Sequence, residues 1–168
     1  MRRPRYFLNT ILGVVIAAGC ANAPSEPGRE AASASLQLNG LLLANCSSIS
    51  PFNVSAPIGP DGGTLKLGPH TLVVPRGALS VTVVITASSS GGRGNSIQFG
   101  PEGLRFNTPA QLTFSTANCS GLGVLNLPLV VYTDNLLSIL ELQLSLPKLS
   151  EKKVVGYINH FSRYAVAY

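Results

Sequence analysis

The sequence predicts an all-β protein, an antiparallel β-sandwich of about ten short strands. Three observations predict it. Apolar residues recur with a period of two, or in brief β-branched runs, over segments of about four to eight residues. Clusters of Gly, Pro and Asn separate these segments at intervals of about 8 to 12 residues. No stretch carries the periodicity of a long amphipathic helix, and no internal repeat is present. Composition agrees. Of 168 residues, 45% are hydrophobic and 11% charged, with 17 Gly and 12 Pro. An acidic disordered chain is excluded. So is a long coiled coil, because charged helix formers are scarce and Pro is frequent.

The first element reads as an export signal. Arg2, Arg3 and Arg5 precede an apolar run from Tyr6 to Gly19. At about 1.5 Å per residue this run is short for a membrane span and suits a signal-peptide core. It ends in Ala17-Ala18-Gly19-Cys20. That ending resembles the lipobox of bacterial lipoproteins, with Ala17 where that family prefers Leu. The resemblance implies that residues 1–19 are a signal peptide, cleaved before Cys20, whose thiol carries a diacylglycerol. Small side chains fit a protease groove, and the thiol is the nucleophile that takes the lipid. Two alternatives stay open. Ala21-Asn22-Ala23 is a rival site for ordinary secretion, disfavoured by Pro24, and the segment could remain as an uncleaved anchor. In a cell with two membranes the same resemblance implies the outer one, since Ala21 stands where an Asp would retain a lipoprotein at the inner membrane. Residues 20–40, rich in Ala, Ser and Pro, then read as a lipidated Cys and flexible tether. The domain follows as residues 41–168.

The strands are read next, in order. Leu72-Val73-Val74 lies between His70 and Pro75. Val81–Ala87 is continuous and β-branched; Ser96–Phe99 and Gln111–Ser115 are short alternating runs. Leu129–Thr133 is another strand. Leu136–Leu146 looks helical at first, but Leu140, Leu142, Leu144 and Leu146 alternate with Glu141, Gln143 and Ser145, which is period two. Lys153–Asn159 and Phe161–Tyr168 close the chain as strands. Turns fall at Pro60-Asp61-Gly62-Gly63, at Gly91-Gly92-Arg93-Gly94 and at Gly121–Gly123. The glycines of the second turn only superficially resemble a phosphate-cradling loop, since the Lys-Ser/Thr and the helix that would follow are missing.

With Cys20 assigned to lipid, Cys46 and Cys119 remain. An even remainder in an exported chain predicts a disulfide between them; two separate buried thiols are the alternative. Neither a metal nor another cofactor is expected. The chain has two histidines, His70 and His160, and no close Cys or His spacing. His70, alone before a strand, reads as structural. Sequon matches at Asn45, Asn53 and Asn118 are chance in a chain with a lipobox.

Three clusters then carry a resemblance. The first is Gly62-Gly63, Leu72-Val73-Val74-Pro75 and Gly77-Ala78-Leu79. The second is Phe99, Pro101, Gly103-Leu104, Phe106, Pro109 and Leu112. The third is His160-Phe161-Ser162-Arg163-Tyr164-Ala165-Val166. In this order, over residues 58–168, they resemble the ZU-five domain of zonula-occludens proteins, netrin receptors and ankyrins. The resemblance implies a β-sandwich that acts as an interaction or structural module rather than an enzyme.

The third cluster also suggests chemistry. Some ZU-five proteins, and similarly the autoproteolysis domains of adhesion receptors, are cut within a His-apolar-hydroxyl triplet. The resemblance implies that Ser162 Oγ attacks the Phe161 carbonyl while His160 takes its proton. A strained turn would align the two, and water would hydrolyse the ester. The flanking Cys and Trp of the receptor motif are absent here. The structural alternative has His160 bonding at a strand end and Phe161 filling the core. No nucleophile elbow is present, and no pair of carboxylates stands out for glycoside chemistry.

Three functions follow as expectations. The first is a lipid-anchored envelope module with a structural or protein-binding role. The second is a self-cleaving domain cut between Phe161 and Ser162. The third is a carbohydrate-binding module, though five Tyr and no Trp give little for sugar stacking. Partners are then the membrane, through lipid on Cys20, and an unknown envelope protein or glycan. Nucleic acid is not expected. The formal charge is +5, but Arg2, Arg3 and Arg5 supply three of twelve basic residues, and beyond residue 19 nine scattered bases face seven acids.

Overall fold

A computed structural model describes residues 40–168. The expected signal peptide, Cys20 and nearly all of the tether lie outside the described residues. Two antiparallel sheets pack face to face as a β-sandwich. The strands are β1 (Asn45–Cys46), β2 (Phe52–Ile58), β3 (Gly63–Leu67), β4 (His70–Val74), β5 (Val83–Ser89), β6 (Ile97–Gly100) and β7 (Arg105–Ser115). Then come β8 (Cys119–Ser120), β9 (Leu129–Thr133), β10 (Ile139–Leu142), β11 (Leu144–Lys148), β12 (Lys153–His160) and β13 (Arg163–Ala167). One sheet has the order β10-β9-β13-β6-β5-β2 and the other β11-β12-β7-β4-β3; β1 and β8 form a separate pair.

The sheets meet over a single core. Ile85, Ala87, Ile97, Phe99, Tyr164 and Val166 come from the six-stranded sheet; Leu65, Leu72, Val74, Leu112, Phe114 and Ile158 come from the five-stranded one. The alternation of these residues along each strand is the physical reason for the fold, because a period of two sends every second side chain inward. The layers approach closely at Gly156. A Cβ there would lie 2.6 Å from the Val130 side chain, so only glycine fits.

Three departures from the sequence expectation have plain causes. First, β2 and β3 add strands that were not expected. β2 contains Pro57, which a central strand would reject, but β2 is an edge and its loss of one donor is tolerated. Second, β7 spans 11 residues, beginning at Arg105 and running through Pro109 rather than beginning at Gln111, with the register slipping opposite Ile158 and His160. Third, the last strand begins at Arg163. Phe161 and Ser162 form the corner where the chain leaves the five-stranded sheet and enters the six-stranded one.

The Leu140–Leu146 segment is extended, as its period predicts, but it is split at Gln143. There it passes from the edge of one sheet to the edge of the other. Gln143 N–H donates to the Val130 carbonyl, and Ser145 Oγ both accepts from Val130 N–H and donates to the Gln143 carbonyl. These bonds put the polar residues inward. Gln143 is buried, while Leu140, Leu142, Leu144 and Leu146 are 46%, 44%, 75% and 51% exposed.

At one end of the sandwich, a strap over residues 41–44 runs antiparallel to the end of the chain. Leu42 and Tyr168 exchange two backbone hydrogen bonds, and Ala44 N–H donates to the Val166 carbonyl. The disulfide Cys46–Cys119 follows directly, joining β1 to β8. Beside it, Asn95 and Asn118 exchange side-chain hydrogen bonds, and Asn118 also donates to the Ser47 carbonyl. The second glycine turn has a packing role here. Gly91 has φ of 77°, and a Cβ on it would strike the Ile49 carbonyl.

Candidate functional site

The corner at Phe161–Ser162 collects the residues with the best claim to chemistry. Phe161 anchors it. The ring is buried, stacked on Phe99 at 5.0 Å and edge-on to Phe106 at 4.9 Å. Its N–H donates to the Leu104 carbonyl, and its own carbonyl accepts from Gly103 N–H at 2.9 Å. The Ser162 carbonyl accepts from Phe99 N–H. The corner is therefore tied to the turn before β7 on one side and to β6 on the other.

His160 turns elsewhere. The Tyr164 hydroxyl donates to the His160 carbonyl at 2.7 Å and lies 3.5 Å from the ring Nδ1, while Tyr132 meets the imidazole edge-on. Burial pushes the Tyr164 phenol up, so it stays a donor at any physiological pH. Among the described residues no hydrogen bond joins His160 to Ser162. Ser162 is 5% exposed and faces a shallow polar pocket of about 130 Å³ instead. Thr133, Gln98, Arg163 and Asp134 line that pocket with it. Thr133 Oγ1, Gln98 Oε1 and Arg163 Nε are buried there without protein partners. Backbone N–H groups of Ser138, first, and of Leu136 hold the Asp134 carboxyl below its usual range, assisted by the Arg163 charge.

Self-cleavage needs a hydroxyl, a base on it, and a strained, polarised carbonyl. One part is in place, the Gly103 N–H on the Phe161 carbonyl. The base is not on the hydroxyl: the His160 ring lies beside Tyr164 and Tyr132, and among the described residues it makes no bond to Ser162. Among the described residues the non-glycine positions with positive φ are Asn95, Leu137 and Lys152, none of them at the corner. We therefore expect intact mass spectrometry under denaturing conditions to find the bond between Phe161 and Ser162 whole, and Ser162→Ala to change the mass by one oxygen only. Release of the Ser162–Tyr168 peptide, lost in that variant, would establish cleavage instead.

Among the described residues no group of three or more His, Cys, Asp and Glu is placed to hold a metal ion. His70 lies in the core, where Nδ1 accepts from Ser115 N–H at 3.0 Å and the ring packs edge-on to Phe114. Two features escaped the sequence reading. One is the pocket beside Ser162, since Thr133, Gln98 and Arg163 come from three strands that only the sheet order makes neighbours. The other is the outward face of the leucine row. Its signal was available in the inward hydrogen-bonding residue types between the leucines, but alternation alone does not say which face is buried.

The chain matches no family model, and no curated protein matches it significantly. The class is set by architecture alone: an all-β sandwich domain stapled by a disulfide.

Proposed function

We propose that this protein is a lipid-anchored module of the bacterial cell envelope, ZU-five-like, with a structural or protein-binding role. In this reading residues 1–19 direct export, Cys20 carries the lipid, Ala21 stands where an Asp would retain it at the inner membrane, and residues 20–40 tether the domain to the outer membrane. The Cys46–Cys119 disulfide supports an oxidising compartment.

The observation that carries the binding role is the leucine row on β10 and β11. Four leucines face solvent along one segment that edges both sheets. Exposed rows of this kind mark contact surfaces. Pro147 in β11 and the bulge in β10 oppose open-ended strand addition, so the row suits side-chain docking rather than fibre growth. Sugar binding has less support, because the exposed large apolar residues of the described chain are all Leu or Val, with no aromatic face among them.

A photo-crosslinker placed at Leu144 in intact envelopes should capture a discrete partner. Leu146→Thr should weaken that capture while leaving stability within about 0.5 kcal/mol. A crosslink pattern indifferent to Leu146→Thr would remove the binding role. Palmitate labelling that survives Cys20→Ala would remove the anchor.

A further inference from the structure

The end of the sandwich where the described chain begins carries a second apolar feature, separate from the leucine row. Gly40 leads into the strap paired with the end of β13. Leu129 of β9 pairs with Ala167 at that same end, and the loop of residues 121–128 enters β9 there. β8, which starts this loop, is paired with β1 just beyond the strap. The entry of the chain and the loop are therefore neighbours.

The loop is a built turn with an apolar tip. Gly123 N–H donates to the Asn126 carbonyl, and the Asn126 side chain donates to the Gly121 carbonyl. Leu122 packs against the core and holds the base. Between these ties Val124 is 82% and Leu125 97% exposed, with Leu42 of the strap 61% exposed nearby in the topology. From Thr116 to Thr133 the sequence has no charged residue. The tip can thus leave water without stranding a charge, and with part of its backbone already bonded.

Lysines stand beside it. The turn between β11 and β12 is at the same end, because Thr116 N–H donates to the Lys152 carbonyl and Lys153 pairs with Ser115. A small pocket of about 190 Å³ lies between Leu122 and Gly123 on one side and Leu149 and Lys152 on the other. This turn holds Lys148, Lys152 and Lys153 against one acid, Glu151, which bridges Lys148 and Lys153. An uncharged apolar tip flanked by surplus lysines is the pattern of a surface that meets anionic lipid: the tip enters the acyl region and the ammonium groups meet phosphates.

We propose that this end of the domain docks on a phospholipid bilayer bearing anionic headgroups, with Val124 and Leu125 inserted and Lys148, Lys152 and Lys153 facing the phosphates. The proposal rests on the lipid-anchored reading. Cys20 precedes Gly40 by 20 residues. A flexible link of that length has a root-mean-square span of roughly 25 Å. It would hold the entry end near the bilayer and raise its effective concentration there.

The chain has no Trp, so Leu125→Trp creates a single reporter, and Val84→Trp serves as control. Val84 is 57% exposed on β5, toward the opposite end of its sheet. The full chain would be purified from bacterial membranes and reconstituted into phosphatidylethanolamine–phosphatidylglycerol vesicles, with and without bromine on the acyl chains. The expected result is blue-shifted emission quenched by bromine for Leu125→Trp, and neither effect for Val84→Trp. Unchanged thermal melting of both variants checks the fold. Absence of quenching at position 125, equal quenching at both positions, or a blue shift without quenching, as burial against protein would give, overturns the proposal. Cys20-dependent palmitate labelling is read on the same preparation, so the anchor can stand while docking falls. If the label is absent the anchor falls, and quenching on mixing the unlipidated chain with the same vesicles decides docking by itself.

Discussion

Removing the Cys46–Cys119 disulfide should lower the unfolding free energy by about 4 kcal/mol in the chain-entropy model. The bridge closes a loop across a sequence separation of 73, and the unfolded chain without it regains that freedom. The measurement is guanidinium denaturation of the oxidised protein against the Cys46→Ala, Cys119→Ala double variant. A loss below about 1 kcal/mol would show that the unfolded chain is already held compact. The effect is large because the domain is small. Stabilities of 5–15 kcal/mol are usual, so about 4 kcal/mol is a substantial share.

The second large effect is acid sensitivity set by His70. Burial lowers its pKa from 6.5 to about 4. Ser115 N–H donates to Nδ1, which places the neutral ring's proton on Nε2, and Nε2 is buried without a partner. Between pH 6.5 and 4 the unfolded chain takes up a proton that the folded chain refuses. Stability is therefore complete above pH 6.5 and falls as pH drops through this window, by about 3 kcal/mol at pH 4. His70→Phe should lower stability at pH 7, because Ser115 N–H loses its acceptor, yet flatten the slope between pH 6.5 and 4. Denaturation midpoints at three pH values for both proteins test this. A slope unchanged by the substitution would assign the acid sensitivity to other groups.

Much of the sandwich was legible because its strands obey period two. The β-branched runs read at Val81–Ala87 and Leu129–Thr133 became β5, two residues later at Val83–Ser89, and β9. The disulfide followed from parity and compartment. What stayed hidden depended on long-range pairing. Phe52–Ile58 was not read as a strand, and only the sheet order shows that its Pro57 lies on an edge, where a missing donor is tolerated. The strand expected from Phe161 was cut short because Phe161 is a core residue at a change of sheet, which local propensity does not encode. At the candidate site the triplet His160-Phe161-Ser162 was visible, but its geometry was not. The partner that orients His160 is Tyr164, a residue first read only as part of a resemblance.

The strap at the start of the domain has a mechanical consequence. A pull on Gly40 loads the three hydrogen bonds between residues 42–44 and the end of the chain in sequence, so they open like a zipper at low force. Two residues further on, the load reaches Cys46 and passes through sulfur into β8. In the lipid-anchored reading proposed above, a domain held through Gly40 would give up the strap first and then stop against a covalent bond.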